Sequence, residues 1–456
     1  CGAQRRLMDC VADTLDHNEG EIVKDFKPQE LSNTAWGLAT LISRRGSEDS
    51  SQDTSIEDQA SLRILRWVAK SLCERVDDFK PQEVSNSIWA FATLGFGATT
   101  TPTQFNTNNE YISLPSDQPE VDRNLVSETL LIVAKNASSR LHRFRPQELN
   151  NLAWGFCRLG HYSKEMKVLY EGVGQELIKR HRFFAPQDIG TTLWSFATVE
   201  YYDEAVYKAA ASELTLSKSR SFKPQELSNT VWALATAGAI PRFVHAFDST
   251  TLKSSHRVSF NEIKSDPITA CFAAATTELI RRPNEFKEQE IKDVLWSLSK
   301  AGIRHPVVFK KVAEHLVGAT EGAKGRGLAL FSPQGIGNLA WSYAKQAQLG
   351  GGGSESLIST TGRLAVYETI SLDVGEDLVR KLFFQIGETA LHKYDNGLNR
   401  SKPQDLSNTC WAFATLGILH SGYFRAVVDQ VEQRLARFDP KISTVSRFKA
   451  QEIANL

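Results

Sequence analysis

Two columns of side chains recur along this chain at positions suited to contact with a phosphate-linked polymer. The first stands just before a Pro-Gln pair or its equivalent and reads Lys27, Lys80, Arg145, Ala185, Lys223, Lys287, Ser332, Lys402 and Lys449. Seven of these nine are cationic, a supply of one charge per unit that suits the phosphates of a single strand. The second column lies thirteen residues further on: Thr40, Thr93, Arg158, Thr198, Thr236, Lys300, Lys345 and Thr415. It stays polar while exchanging Thr for Arg or Lys, as a base-facing position would. Each column also has a local reading. A cation at a helix start opposes the macrodipole by about 0.3–1 kcal/mol. Glu30, Glu83, Glu148, Glu226, Glu290, Asp405 and Glu452, three residues on, could pair with it, although exposed pairs contribute little. For the second column the local reading is plain solvent exposure.

The elements that must carry these columns are repeats. Phe222-Lys-Pro-Gln-Glu-Leu-Ser-Asn-Thr-Val-Trp-Ala-Leu-Ala-Thr-Ala-Gly238 has close copies centred on Trp36, Trp89, Trp154, Trp194, Trp232, Trp296, Trp341 and Trp411, and a ninth begins at Phe448. Successive Trp anchors are 53, 65, 40, 38, 64, 45 and 70 residues apart, so the basal period is about 38 residues, within the range of solenoids. Each unit reads as helix, turn, helix. The second helix carries Pro in its first turn, an acidic residue two places later and often a closing Gly, as at Gly95, Gly160, Gly238 and Gly417. A helical wheel places Leu31, Ala35, Leu38, Ala39 and Ile42 on its core face. Polar stretches at 43–59, 97–122, 249–266 and 346–362 are expected to be disordered insertions. The expected fold is all-α, an α-solenoid of about nine helix-turn-helix repeats filling 1–456 as a single array.

A further stripe on the second helix holds Asn33, Asn86, Asn151, Asn229, Asn338, Asn408 and Asn455, followed by small residues such as Gly37, Ala90, Gly155 and Ser195. Two roles suit it: a groove in which a ligand approaches the backbone, or an amide ladder joining repeat to repeat. The Gln of the motif recurs in all nine units, which favours a structural role for it. Any base-specific readout belongs to columns that vary.

Lys+Arg and Asp+Glu are equal at 53 each, so nothing in the net charge draws the chain to nucleic acid or to an anionic membrane. No apolar run reaches the ~20 residues of a membrane span, and no membrane partner is expected. The six Cys form no C-x-x-C pair; Cys157 and Cys410 stand where other copies have Ala and read as small core fillers. No metal and no cofactor is expected. The motifs of phosphate-binding loops, zinc proteases and serine hydrolases are absent, and the ten His are scattered, so catalysis is not expected. The chain starts at Cys1 and stops inside a repeat, which reads as a piece of a longer protein whose targeting peptide need not be present.

The motif F-[KR]-P-Q-[ED]-[LIV]-x-N-x-x-W-[AGS]-[LF]-A-T-L-G resembles the repeats of octotricopeptide-repeat proteins of algal organelles. It is also similar to the helical repeats of FAST-kinase-like and RAP-domain proteins. The resemblance implies a right-handed α-solenoid that binds single-stranded organellar RNA, in a mitochondrion or chloroplast, and acts in RNA stability, processing or translation. Nothing in the chain resembles the nuclease-like RAP domain itself. The alternative function is a protein scaffold within an organellar ribosome or assembly complex, with ribosomal or RNA-processing proteins as partners.

Overall fold

In a computed structural model of the chain the described residues are 2–45, 54–99, 119–161, 163–215, 218–243, 260–321, 327–350, 365–392 and 397–436. Among them the regular structure is entirely helical, and the fold is an all-α solenoid in which helices pack on their neighbours in sequence order. The chain divides into two compact units, Cys1–Glu213 and Leu214–Leu456.

The first unit holds α1 (Gly2–Asp16), α2 (Pro28–Arg45), α3 (Thr54–Arg75), α4 (Pro81–Leu94), α5 (Glu120–Ser138), α6 (Pro146–Leu159), α7 (Lys164–Arg180), α8 (Pro186–Thr198) and α9 (Glu204–Ala211). It has two layers. The helices that open with Pro-Gln stack as α2, α4, α6 and α8, and their predecessors stack as α1, α3, α5, α7 and α9. The second unit holds α10 (Pro224–Thr236), α11 (Phe260–Ser265), α12 (Pro267–Arg281), α13 (Glu288–Lys300), α14 (Pro306–Glu321), α15 (Pro333–Gly350), α16 (Ala365–Val374), α17 (Glu376–His392), α18 (Pro403–Leu416) and α19 (Ser421–Ala436). Its layers are α10, α13, α15, α18 and α12, α14, α17, α19, with α16 packed on α14, α15 and α17.

A short 3₁₀ turn joins the layers in each repeat, for example Val76–Asp78, Leu141–Arg143, His181–Phe183, Ser219–Ser221, Pro283–Glu285 and Leu328–Leu330. The Phe that follows it is driven inward: Phe79, Phe144, Phe184, Phe222, Phe286 and Phe331 are all buried. That apolar pin, worth a few kcal/mol each, sets where the next helix starts. At the far end Gly95, Gly160, Gly238 and Gly417 adopt φ of 66°, 70°, 71° and 63°, the left-handed conformation that glycine tolerates. On the core face Leu31, Ala35, Leu38 and Ala39 are buried as the wheel requires while Ile42, near the helix end, is half-buried, and Cys157 and Cys410 are buried fillers.

The insertions differ from expectation at their edges, where helices run into them. Ser43–Arg45 closes α2, α3 begins at Thr54, α5 takes in Glu120–Asp122, and Phe260–Ser265 forms α11. Gln346 is 1% exposed inside α15, where its amide accepts from the His305 N–H (2.9 Å) and donates to Ile303 O (2.8 Å). A side chain with such partners belongs to the core. The remainder of those four stretches, 46–53, 100–118, 249–259 and 351–362, lies outside the described residues, as do Lys449 and the ninth motif copy.

Candidate nucleic-acid interface

The residue before each Pro becomes the N-cap of its helix and is held in one backbone conformation throughout. Lys80, Arg145, Lys223, Lys287 and Lys402 have φ between −72° and −69° and ψ between 150° and 162°. Pro at the next position favours this geometry in four of the five, because it disfavours helical dihedrals in the residue before it; Lys287, followed by Glu288, adopts the same extended dihedrals as N-cap residues do. Lys27, Lys80 and Arg145 are exposed in the first unit, and Lys223, Lys287 and Lys402 in the second. Ala185 and Ser332 occupy the same place in the two repeats without a cation.

The carboxylate three residues on is committed elsewhere than the sequence suggests. Glu83, Glu148, Glu226, Glu290 and Asp405 are buried, and each accepts from the backbone N–H of the N-cap residue at 2.8, 2.7, 2.9, 2.7 and 2.8 Å. It satisfies an otherwise orphaned donor at the helix start, while the cationic residue itself stays exposed. At Glu290, burial outweighs the Lys287 N–H bond and the nearby Lys287 charge, and its carboxyl is pushed up to about 7.

The outward stripe of the Pro-Gln helix is set by the spacing of four, three and four residues that brings Gln, Asn, Trp and Thr onto one face. Gln29, Gln82, Gln147, Gln187 and Gln404 are exposed. Asn86, Asn151, Asn229, Asn338 and Asn408 are half-buried and Asn33 is exposed. Two Trp pairs lie ring beside ring from helix to helix, Trp232–Trp296 stacked with centroids 6.3 Å apart and Trp341–Trp411 tilted by 33° at 6.5 Å; Trp36 is 47% exposed and Trp154 is buried. Aromatic faces flanked by amides and bordered by cations form a surface on which bases can stack.

The second predicted column falls at the opposite end of this stripe. Thr198 and Lys300 are exposed, and Thr40, Thr93, Thr236, Lys345 and Thr415 are half-buried. The Thr40 and Thr198 hydroxyls donate to the carbonyls of Trp36 and Trp194, both at 2.8 Å. Arg158 is buried: its guanidinium lies 5.8 Å from the centroid of the Trp154 ring, and burial pushes its pKa down. Thirteen residues separate the two columns, ~20 Å of helix axis at 1.5 Å per residue. The phosphate and base of one nucleotide do not span that distance.

Beyond the first repeat, where Gly37 has open space around it, the small column lies between helices instead of lining an open groove. Ala90, Gly155, Ser195, Ala233, Ser297, Ser342 and Ala412 are buried. A Cβ on Gly155 would stand 2.6 Å from Ile88 Cγ2 of the preceding Pro-Gln helix. The approaching backbone is therefore that of the neighbouring repeat. A polar link between these helices runs through Asn150, whose amide donates to Asp188 (3.4 Å) and accepts from Thr192 (3.3 Å).

One device escaped the sequence reading. Arg75, Arg140, Arg180 and Arg282 stand six residues before Pro81, Pro146, Pro186 and Glu288, a recurrence visible in the sequence. Each guanidinium reaches back to the carbonyls of the preceding turn. Arg75 donates to Lys24 O (3.0 Å) and Phe26 O (3.1 Å), Arg140 to Val76 O (3.2 Å), Arg180 to Phe144 O (3.0 Å) and Leu141 O (3.4 Å), and Arg282 to Phe222 O (2.5 Å). Arg434 does the same for Ser401 O (2.7 Å). These bonds set adjacent turns in register, so that the exposed positions of one turn lie beside those of the next.

Burial pushes the Cys157, Cys271 and Cys410 thiols up to about 12, so none of the three is a thiolate near neutral pH. Among the described residues no group of three or more His, Cys, Asp or Glu side chains is placed to hold a metal ion, and no helix is long and apolar enough to cross a membrane.

A protein-family model described as "Protein of unknown function (DUF1601)" matches residues 443–456, the segment that contains the last motif copy. No curated protein matches the chain.

Proposed function

We propose that this protein binds single-stranded RNA along its Pro-Gln helices, with phosphates at the N-cap cations. The observation that carries the reading is the repeated N-cap geometry, in which exposed cations share one backbone conformation while the local carboxylates bond to backbone. A regular row of such charges gives affinity in a chain of zero net charge, because binding depends on the local field. Bases then meet the Gln and Asn columns and the Trp edges, two to nine residues from the cation, ahead of the Thr40–Thr415 column. The motif's resemblance to organellar RNA-binding repeats points to an organellar transcript as the target and to a role in its stability, processing or translation.

The test is fluorescence anisotropy of the whole chain with random single-stranded RNA and with duplex, at two salt concentrations. A variant with Lys27, Lys80, Arg145, Lys223, Lys287 and Lys402 changed to Gln is measured beside it. Single-strand-selective binding that weakens with salt and is lost in the variant is the expected result. Each phosphate contact removed should lower the salt slope by about 0.7. A folded wild-type chain that binds neither RNA would overturn the proposal in favour of a protein scaffold.

A further inference from the structure

The N-cap cations are regular, but the turns that carry them are not. In each repeat of the first unit two more positions, four and three residues before the Pro, are exposed beside the N-cap. They read Lys24 and Asp25, then Asp77 and Asp78, then His142 and Arg143, then Arg182 and Phe183. The first turn has Lys24 engaged by Glu21 at 2.7 Å. The second has two carboxylates, Asp77 and Asp78, in the same turn as Lys80. The third turn presents His142, Arg143 and Arg145 with no acidic side chain among them, and the fourth adds Arg182. Among the described residues none of Arg143, Arg145 and Arg182 forms an ion pair. The carboxylates nearest in sequence are engaged with other groups: Glu148 accepts from the Arg145 backbone N–H (2.7 Å), Asp188 accepts from Asn150 (3.4 Å), and Glu176 pairs with Lys179 (3.2 Å) and Arg180 (2.8 Å).

These two turns are neighbours in space as well as in number. Arg180, which opens the fourth turn, donates to Phe144 O and Leu141 O of the third. The 3.0 Å bond from Arg180 to Phe144 O holds the two turns within one side-chain length of each other, a separation that successive nucleotides can bridge. Phe183 follows Arg182 in the fourth turn and is 79% exposed. It appears where the N-cap cation is replaced by Ala185, so one repeat exchanges a charge for an aromatic face. The seventh repeat makes a similar exchange, with Leu330 51% exposed and Ser332 at the N-cap, but its turn carries neither a ring nor a cation.

We infer that the third and fourth turns form the main single-strand contact of the first unit, with Arg143, Arg145 and Arg182 on phosphate oxygens and a nucleobase stacked on Phe183. This rests on the RNA-binding reading and narrows it to one patch. Cations supply affinity without sequence preference, and an aromatic face adds selectivity for unpaired bases, which duplex does not offer.

The experiment compares four variants of the whole chain by anisotropy with a labelled single-stranded RNA and with duplex: R143Q/R145Q/R182Q, K27Q/K80Q, Phe183→Ala and Phe183→Trp. All the altered side chains are exposed, and circular-dichroism melts confirm that each variant is folded. The triple variant should raise the single-strand Kd about tenfold or more and lower the salt slope by about 2, while K27Q/K80Q, which removes two contacts of the same row outside this patch, should raise Kd by a smaller factor, about threefold. Phe183→Ala should raise the single-strand Kd at least about fivefold and leave duplex unchanged, and Phe183→Trp should retain binding. Equal losses in the triple and in K27Q/K80Q would overturn the localisation while leaving the RNA reading intact, and an unchanged Phe183→Ala would remove the stacking role. Failure of the wild type to bind would defeat both.

Discussion

The second and third turns of the first unit share a backbone and differ in charge. Lys80 has φ −69°, ψ 159° and Arg145 has φ −72°, ψ 158°; Phe79 and Phe144 below them are equally buried; Glu83 and Glu148 cap both helices in the same way. Yet the exposed residues ahead of these N-caps are Asp77 and Asp78 in one turn and His142 and Arg143 in the other. Geometry is thus the repeat's common property, and chemistry is written locally into the few exposed side chains of each turn. An array of this kind can hold its architecture constant while varying which turns attract a phosphate.

If the two turns are one scaffold, they should break alike. Phe79→Ala and Phe144→Ala should each cost about 3–5 kcal/mol, read as matching falls in the urea midpoint of the far-UV signal; a large difference between them would show that the turns are not equivalent supports. The cap beneath the cation should matter next, and the sixth repeat makes it visible through pH. Glu290 has its carboxyl pushed up to about 7, so the folded chain binds a proton there more readily than the unfolded chain does. Stability from this group is therefore present in acid and is lost as pH rises from about 4.5 through about 7, by on the order of 2–3 kcal/mol. Asp293, raised in the same direction by burial despite its contact with Lys292, adds to the trend. Glu290→Gln keeps an oxygen for the Lys287 N–H and should flatten the stability profile across that window. An unaltered profile would remove Glu290 as its source. The register between turns should be cheaper to disturb: Arg180→Ala deletes the bonds to Phe144 O and Leu141 O and should cost about 1.5–3 kcal/mol, seen as a lower thermal midpoint and faster amide exchange around residues 141–144.

Much of this scaffold is legible in the sequence because its signals are local. Pro after the N-cap, the acidic residue three places on from it, the buried Phe and the closing Gly each act within a turn of helix, and each is found where the motif puts it. The small column shows where that legibility stops. Gly155 is open on an isolated wheel, but it is closed by Ile88, sixty-seven residues earlier, and only packing of consecutive repeats reveals it. The Arg180 contact has the same cause, since its acceptors are main-chain carbonyls of another repeat and carry no residue-type signature. Arg158 varies in its column because it lies over Trp154 in the packed interior, so variation alone did not mark a ligand-facing position. At Gln346 a polar, glycine-flanked stretch read as loop, while the side chain satisfies main-chain groups of Ile303 and His305 in the loop between α13 and α14.

The most direct way to sharpen the comparison is to write one turn's chemistry onto the other. Asp77→His with Asp78→Arg gives the second turn the exposed residues of the third. Asp77 accepts from Asn136 Nδ2 at 2.5 Å and Asp78 lies 3.4 Å from Arg75 Nε, so both changes forfeit surface contacts only. Arg75 keeps its bonds to Lys24 O and Phe26 O, and the register of the turn is retained. The expected stability change is within about 1 kcal/mol. Removing two carboxylates beside Lys80 and adding a cation should tighten single-strand binding several-fold at low salt and steepen its salt dependence. Should the stability hold while binding stays at the wild-type level, exposed charge in these turns would not be what sets the contact, and the difference between the second and third turns would have to be sought in the Gln, Asn and Trp columns they border.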